Sequence, residues 1–396
     1  MASFGVALRV GLTMTVLLTG GCASGHGSQA RGAAAWSPAA TTRFPDPSRT
    51  PFPAATANAL QAVLTGAVAN YRHSHAVGVP GITAAVISDR GSWTGAAGAG
   101  GDGAPLTPDA MMAVDSITKT FVAAEVMRLA AMGRVDLNAP LSSYVPASPA
   151  DKGATVRQTL SMRSGLSDPP GAVFEAMNSA QAATPDKPWT PVQTLDYLKP
   201  QSSAPGGVPV YANSNYLLLG LLVEKVTGRT VEQVERTDLF TPAGLSRIAA
   251  QDAERPSPPL AAPPSGLKVT PDGYLPSGLL AGSGQDSFSG IAADAATVAK
   301  WGYQLYGGRL LPIQSVRAMM TQPSAGGIAA DRGYGLGTMV FSGLSPEPAY
   351  GHSGEDPGYT TLLAVIPARH LAAAVLIPDH GRDTDSIMKD LLTVLG

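Results

Sequence analysis

The chain has 396 residues, of which 44% are hydrophobic and 14% charged, enough apolar material for one large domain or two lobes with a sizeable core. Lysine and arginine number 27 against 29 aspartate and glutamate, and the resulting formal charge of −2 gives no electrostatic footing for nucleic acid. A single cysteine, Cys22, excludes an intrachain disulfide, and the sequence holds neither an HExxH motif nor a zinc-type Cys/His spacing; His73 and His75 read as loop residues rather than metal ligands.

At the N-terminus, residues 1–9 carry one cation, Arg9, and Val10 to Leu18 form an apolar run too short to span a bilayer. LTGGCAS follows at 18–24, which resembles a bacterial lipoprotein signal, with Thr19 where an aliphatic residue is more usual. The expectation is a signal peptide over 1–21, lipidation of Cys22 and attachment to the outer face of the cell membrane, with an ordinary secretory signal as the alternative. Residues 23–55 are rich in Ala, Gly, Ser, Thr and Pro, so 22–55 reads as a flexible tether.

The folded body is expected over 56–396. Leu60, Val63, Leu64, Val68 and Tyr71 place a helix at 57–72, and 80–98 reads as two strands around an Asp-Arg-Gly turn. Residues 116–132 read as a helix ended by Gly133. Further helical pieces fall near 155–163, 191–199, 213–228, 230–237, 292–306 and 312–320, separated by proline-rich loops. A strand pair is expected at 359–378 and a last helix at 383–395. With strands at both ends and helices in the middle, the fold class is α/β (α+β). One antiparallel sheet is built from 56–115 and 325–396, flanked by helices, and a mostly helical lobe over 116–324 is inserted into it.

VDSITKTF at 114–121 puts a serine three residues before a lysine at a helix start. On a helix, Ser116 and Lys119 share a face. A serine hydroxyl is a weak nucleophile that needs a base and oxyanion donors, and a helix start supplies N–H groups and a positive dipole end. A lysine working as base near neutrality needs its pKa lowered by roughly 3 units, about 4 kcal/mol of differential stabilisation. Tyr211, with Asn213 two residues on, offers a polar partner to share that proton. Taken singly, Ser116 reads as a helix cap, Lys119 as a surface charge, Tyr211 and Asn213 as loop residues and His352 as a surface histidine.

Together, Ser116-x-x-Lys119, Tyr211-x-Asn213 and His352-Ser353-Gly354, in that order, resemble the three motifs of the penicillin-recognising serine hydrolases. The branch is that of class C β-lactamases, D-Ala-D-Ala carboxypeptidases and their esterase relatives, and the resemblance covers residues 57–396, including VRQTLSMRSGLSD (156–168), RGYGLG (332–337) and AADAATVAKW (292–301). It implies the family's fold and catalysis without a cofactor. Ser116 is then the nucleophile, Lys119 its activator or proton relay, and Tyr211 the general base for acylation that also protonates the leaving group. Asn213 orients Lys119 and the substrate amide, His352, Ser353 and Gly354 border the substrate, and the N–H groups of Ser116 and Glu355 form the oxyanion hole.

Three departures bear on substrate. His352 stands where β-lactamases commonly have lysine, Thr338 to Phe341 supply no cation, and Glu355 puts a negative charge beside the third motif; these disfavour a carboxylate-bearing substrate, with Ser353, Arg332 and His352 left as the candidate partners for one. The expected activity is D-Ala-D-Ala carboxypeptidase-like or β-lactamase-like hydrolysis of a cell-wall peptide or related amide through an acyl-serine. An esterase acting on uncharged esters and a non-catalytic peptidoglycan-binding protein stand as alternatives. The 169–190 and 253–264 loops are rim candidates by position, and oligomeric state is not legible.

Overall fold

The computed structural model describes residues 42–74, 81–145, 152–169, 189–251, 253–263, 289–321, 327–355 and 358–396, together with Val173, Ala176, Met177 and Ala180. All of these fall in one compact unit, Pro38–Gly396. The expected signal peptide, Cys22, His75 and most of the 169–190 loop lie outside the described residues.

A seven-stranded sheet carries the fold. Its strands are β1 (Ile82–Ser88), β2 (Ser92–Ala97), β8 (Arg332–Tyr334), β9 (Met339–Phe341), β10 (Ala349–Glu355), β11 (Thr360–Ile366) and β12 (Leu371–Ile377), in the spatial order β2-β1-β12-β11-β10-β9-β8. Every neighbouring pair is antiparallel. Strand β1 pairs with β12, Ala85 opposite Ala374, so the two ends of the chain close one sheet. Both faces of β11 and β12 are buried, which explains their unbroken apolar runs. Helices α1 (Ala54–Ser74) and α9 (Thr384–Val394) pack together against the sheet, and α7 (Ala295–Tyr306) packs against β1, β11 and β12. A Cβ on Gly302 would stand 2.7 Å from Leu363 and 2.8 Å from Val365, so glycine sets how closely α7 lies on the sheet.

Between the sheet's two parts lies the helical lobe. It contains α2 (Thr118–Ala131), α3 (Val156–Leu160), α4 (Pro191–Leu198), α5 (Ser214–Thr227), α6 (Val231–Val234) and α8 (Ile313–Met320). Threonine capping boxes start α3, α4 and α6, each with a glutamine returning to the cap's own N–H. Two small sheets add what the sequence pattern did not announce: β3 (Met112–Ala113), β7 (Ile291–Ala293) and β6 (Ile248–Ala250) form one, and β4 (Leu166–Ser167) pairs with β5 (Gln201–Ser202) in the other. The helix expected from residue 292 therefore starts at Ala295, because Asp294 caps it by accepting from Thr297 N–H at 2.7 Å.

The tether reading is corrected for residues 42–53. Phe44 is buried against Tyr303 and His370, its N–H donates to the Gly307 carbonyl at 3.0 Å, and Phe52 N–H donates to Ser92 at 3.0 Å. Arg309 also pairs with Asp46. Proline-rich composition sees only local stiffness, whereas one aromatic side chain with a pocket to fill is enough to dock the segment. No helix among the described residues is long and apolar enough to cross a membrane.

Candidate active site

The strand β3 leads into a single 3-10 turn, Asp115–Ile117, before α2 begins at Thr118. The helix thus starts two residues later than its sequence pattern predicts, because Asp115 sits at φ 46°, a left-handed conformation that Asp tolerates better than most residues. The turn is pinned from several sides. Val114 N–H donates to Ile291 at 2.9 Å, Thr361 Oγ1 donates to the Val114 carbonyl at 3.0 Å, and Ile291 N–H donates to Thr118 Oγ1 at 3.2 Å. Behind the turn, Trp301 stacks on Phe121 at 3.9 Å and its indole N–H donates to Thr120 at 2.8 Å. That contact gives the tryptophan of the AADAATVAKW segment its place.

Ser116 and Lys119 meet as their spacing requires: Lys119 Nζ donates to Ser116 Oγ at 2.8 Å. Lys119 is fully buried, which is far from the solvated surface charge the residue alone would suggest. Burial pushes its pKa down from 10.5, while the carboxylates of Asp115 and Asp168 pull the other way. Its ammonium also lies 5.0 Å from the centre of the Tyr211 ring and 5.8 Å from that of Tyr216.

Tyr211 and Asn213 enter from the segment before α5. Asp168 holds that segment: its carboxylate accepts from Asn213 N–H at 2.5 Å, from Ser214 N–H at 3.1 Å and from Ser214 Oγ at 2.5 Å. A charged acceptor on the first N–H groups of a helix fixes its start and favours its dipole. Tyr211 Oη and Asn213 Oδ1 are buried and complete no hydrogen bond within the chain. Unpaired buried polar atoms cost about 1–3 kcal/mol each, so two in one cleft mark a place built to receive a polar group. Burial pushes the Tyr211 phenol well above its usual value, against a smaller opposing effect of the Ser116 hydroxyl.

The third motif lies on β10, opposite β11, with His352 across from Leu363 and Gly354 across from Thr361. A Cβ on Gly354 would come within 2.3 Å of the Val114 carbonyl and 3.2 Å of Asp115 Cβ, so only glycine lets β10 approach the Asp115–Ile117 turn. Ser353 is half-buried and its Oγ lies 3.4 Å from Met339 Sδ. His352 differs from what its position in the motif implied. It is fully buried, Nδ1–H donates to the Ser353 carbonyl at 2.6 Å, and Nε2 accepts from Tyr334 Oη at 3.1 Å. Burial, with Lys119 nearby, depresses its pKa to about 3, so the ring is neutral and has no nitrogen left for a substrate carboxylate. Its faces and edges pack with Tyr334 and Tyr211 at ring-centre distances of 5.7 and 6.0 Å.

The second expected oxyanion donor is also engaged. Glu355 N–H donates to Asp115 Oδ2 at 2.7 Å. The structure therefore gathers Ser116, Lys119, Tyr211, Asn213 and the 352–355 strand into one cleft, but adds Asp115, Asp168 and Tyr334, which sequence reasoning did not single out. Asp168 and Tyr334 lay inside segments that carried the resemblance; Asp115 had only its place beside Ser116 as a signal. No group of acidic, histidine or cysteine side chains that could hold a metal is found among the described residues.

A buried Ser-Lys pair on a helix start, a tyrosine beside it and a glycine-bearing strand of an antiparallel sheet define a serine hydrolase of the β-lactamase and penicillin-binding class. Residues 54–394 match the beta-lactamase family, and the chain belongs to it. It is 26% identical over 332 residues to penicillin-binding protein 4 of Amycolatopsis lactamdurans, covering 80% of this chain and 85% of that one. To a putative penicillin-binding protein of Bacillus subtilis it is 27% identical, covering 63% of this chain and 57% of the relative. To the D-aminopeptidase of Brucella anthropi it is 31% identical, covering 36% of this chain and 27% of the relative. Among solved structures, a D-stereospecific amidohydrolase from Streptomyces sp. superimposes with TM-score 0.67 at 25% identity, covering 84% of this chain and 97% of that one. The D-amino acid amidase of Ochrobactrum anthropi shares the fold with TM-score 0.73 at 22% identity, covering 86% and 98%.

Proposed function

We propose that the chain is an acyl-serine amidohydrolase acting on small amides or peptides of D-amino acids that carry no carboxylate beside the scissile bond. The observation that carries this is the buried Lys119 Nζ at 2.8 Å from Ser116 Oγ, with Tyr211 Oη and Asn213 Oδ1 unpartnered above it. Ser116 Oγ attacks the carbonyl carbon as its proton passes to Lys119. The depressed pKa of Lys119 and the raised one of Tyr211 make the lysine the better base, so Tyr211 serves as the relay that carries the proton to the leaving nitrogen. The C–N bond breaks, the amine departs protonated, and water then releases the acid from Ser116 by the reverse proton path. Asn213 Oδ1 is an acceptor suited to a substrate amide N–H.

Charge selects the substrate class. Asp115 and Asp168 act on Lys119, the Glu355 carboxylate acts on Asp115, Lys119 is committed to the serine, and Arg332 is paired with Asp385 at 2.6 Å. A C-terminal carboxylate meets acidic groups there, whereas an ammonium is welcomed. The D-aminopeptidase and D-amino acid amidase likenesses support an amine-bearing D-substrate. The penicillin-binding protein likeness keeps D-Ala-D-Ala carboxypeptidase activity as the second reading.

Ammonia release from D- and L-alaninamide, compared with D-alanine release from a D-Ala-D-Ala peptide, tests the choice. Turnover of the D-amide above both the L-amide and the peptide is expected; the reverse order for the peptide would sink the amidase reading in favour of the carboxypeptidase. On the sequence signal alone we also propose lipid anchoring at Cys22, with Cys22→Ala expected to move the protein from the membrane to the soluble fraction.

A further inference from the structure

The residue in front of Ser116 is a buried aspartate whose carboxylate accepts from Glu355 N–H, the donor that the resemblance assigns to the oxyanion hole. Glu355 N–H gives its hydrogen bond to Asp115 Oδ2 at 2.7 Å, and the missing Cβ of Gly354 is what brings the strand near enough for it. Asp115 is buried and held at φ 46° by the tight entry into the turn, so its side chain has little choice of direction. A tetrahedral oxyanion at Ser116 needs N–H donors in this corner, and a carboxylate already seated on one competes with it directly.

We propose that Asp115 gates the oxyanion hole: in the resting enzyme it occupies the Glu355 N–H, and a substrate is acylated only after its carbonyl oxygen takes that donor from the aspartate. The inference rests on the acyl-serine reading above. The groups facing the carboxylate fix the gate's selectivity. They are the Lys119 ammonium, the Ser116 hydroxyl, the Glu355 N–H and carboxylate, and the Tyr211 phenol. Burial, with the Glu355 charge, pushes Asp115 up to about 7 against the opposing pull of Lys119, the Glu355 N–H and the Ser116 hydroxyl, so near neutrality the gate carboxyl is present in both forms. In return Asp115 helps keep Lys119 protonated. The closed gate therefore disables the centre twice, by filling a donor and by favouring the charged form of the base. A substrate with an ammonium near its carbonyl brings a counter-charge for the released aspartate; a neutral or anionic one does not. Asp115 is thus a specificity-determining residue.

The test is the rate of Ser116 acylation by p-nitrophenyl acetate, which is small and uncharged, measured as a burst and by intact mass in wild type, Asp115→Gly and Asp115→Asn. Both replacements suit a left-handed backbone position, so neither adds strain. Freeing a donor from a charged acceptor predicts acylation faster by about tenfold or more in Asp115→Gly. Asp115→Asn, which keeps an acceptor but removes the charge, should fall between Asp115→Gly and wild type. The gain should shrink when D-alaninamide replaces the ester. Acylation of wild type with no acceleration in Asp115→Gly overturns the gate and leaves the hydrolase reading intact. Should melting show Asp115→Gly unfolded, Asp115→Asn decides, and a rate at or below wild type overturns the gate. No Ser116 adduct in any variant, with p-nitrophenyl acetate or a fluorophosphonate, overturns the acyl-serine reading and the gate with it.

Discussion

The two walls of the cleft are built on opposite terms. The helical wall, from Ser116 to Asn213, keeps two buried polar atoms without partners, Tyr211 Oη and Asn213 Oδ1, and a lysine with no exposure to water. On the strand wall His352 is satisfied at both ring nitrogens, and the Glu355 N–H is taken by Asp115. Unsatisfied groups are costly to fold and useful to a substrate; satisfied ones are stable and fix geometry. On the proposed reading, the helical wall carries the chemistry and the strand wall sets who may use it.

Substitutions that break this contrast differ widely in size. Ser116→Ala removes the proposed nucleophile, and turnover should fall about 10,000-fold with the labelled mass peak lost, while melting temperature stays near wild type. Tyr211→Phe sharpens the contrast: kcat should drop about 100-fold, yet stability should hold or rise by about 1 kcal/mol because a buried unpaired hydroxyl disappears. Reduced stability in urea titrations of that variant would show that Tyr211 is a structural hydroxyl. Gly354→Ala attacks the strand wall, where the new methyl collides with the Val114 carbonyl. We expect about 2 kcal/mol of lost stability and a smaller loss of activity than Tyr211→Phe, measured by chemical unfolding and steady-state kinetics.

The smallest effect belongs to His352 and appears only in acid. Its pKa falls from 6.5 in the unfolded chain to about 3 in the fold, so the unfolded state binds more protons between those values. The contribution of His352 to stability should therefore decline as pH drops below 6.5, and a melting-temperature profile of wild type minus that of His352→Asn should show this slope. At neutral pH the wild-type ring is already uncharged, so His352→Asn should leave that part of the profile unchanged.

Much of this architecture was legible. The apolar stripes of α1 and α9 and the unbroken runs of β11 and β12 are local patterns, and local patterns fix element type. The three motifs were legible because each is short and their order along the chain restricts what they can be. Strand β10 was less so: Gly351 and Gly354 interrupt its pattern, and its place between β9 and β11 supplies what its own residues lack. Phe44 was read as part of a tether because composition says nothing about a pocket at Gly307 and Tyr303. The roles of His352 and Glu355 needed the fold most. Whether a histidine is an open ligand or a locked ring depends on Tyr334, 18 residues away, and on the carbonyl beside it.

The sequence by itself determined that this chain makes an antiparallel sheet from its two ends and brings a serine and a lysine onto one helical face. Those outcomes follow from periodicity and from spacing within a single turn. Only the tertiary structure decided the state of that centre. Burial of Lys119, the seat of Asp115 on Glu355 N–H and the neutral ring of His352 all arise from contacts between segments tens to hundreds of residues apart. Desolvation and hydrogen-bond pairing are properties of the packed assembly, and no stretch of sequence carries them alone.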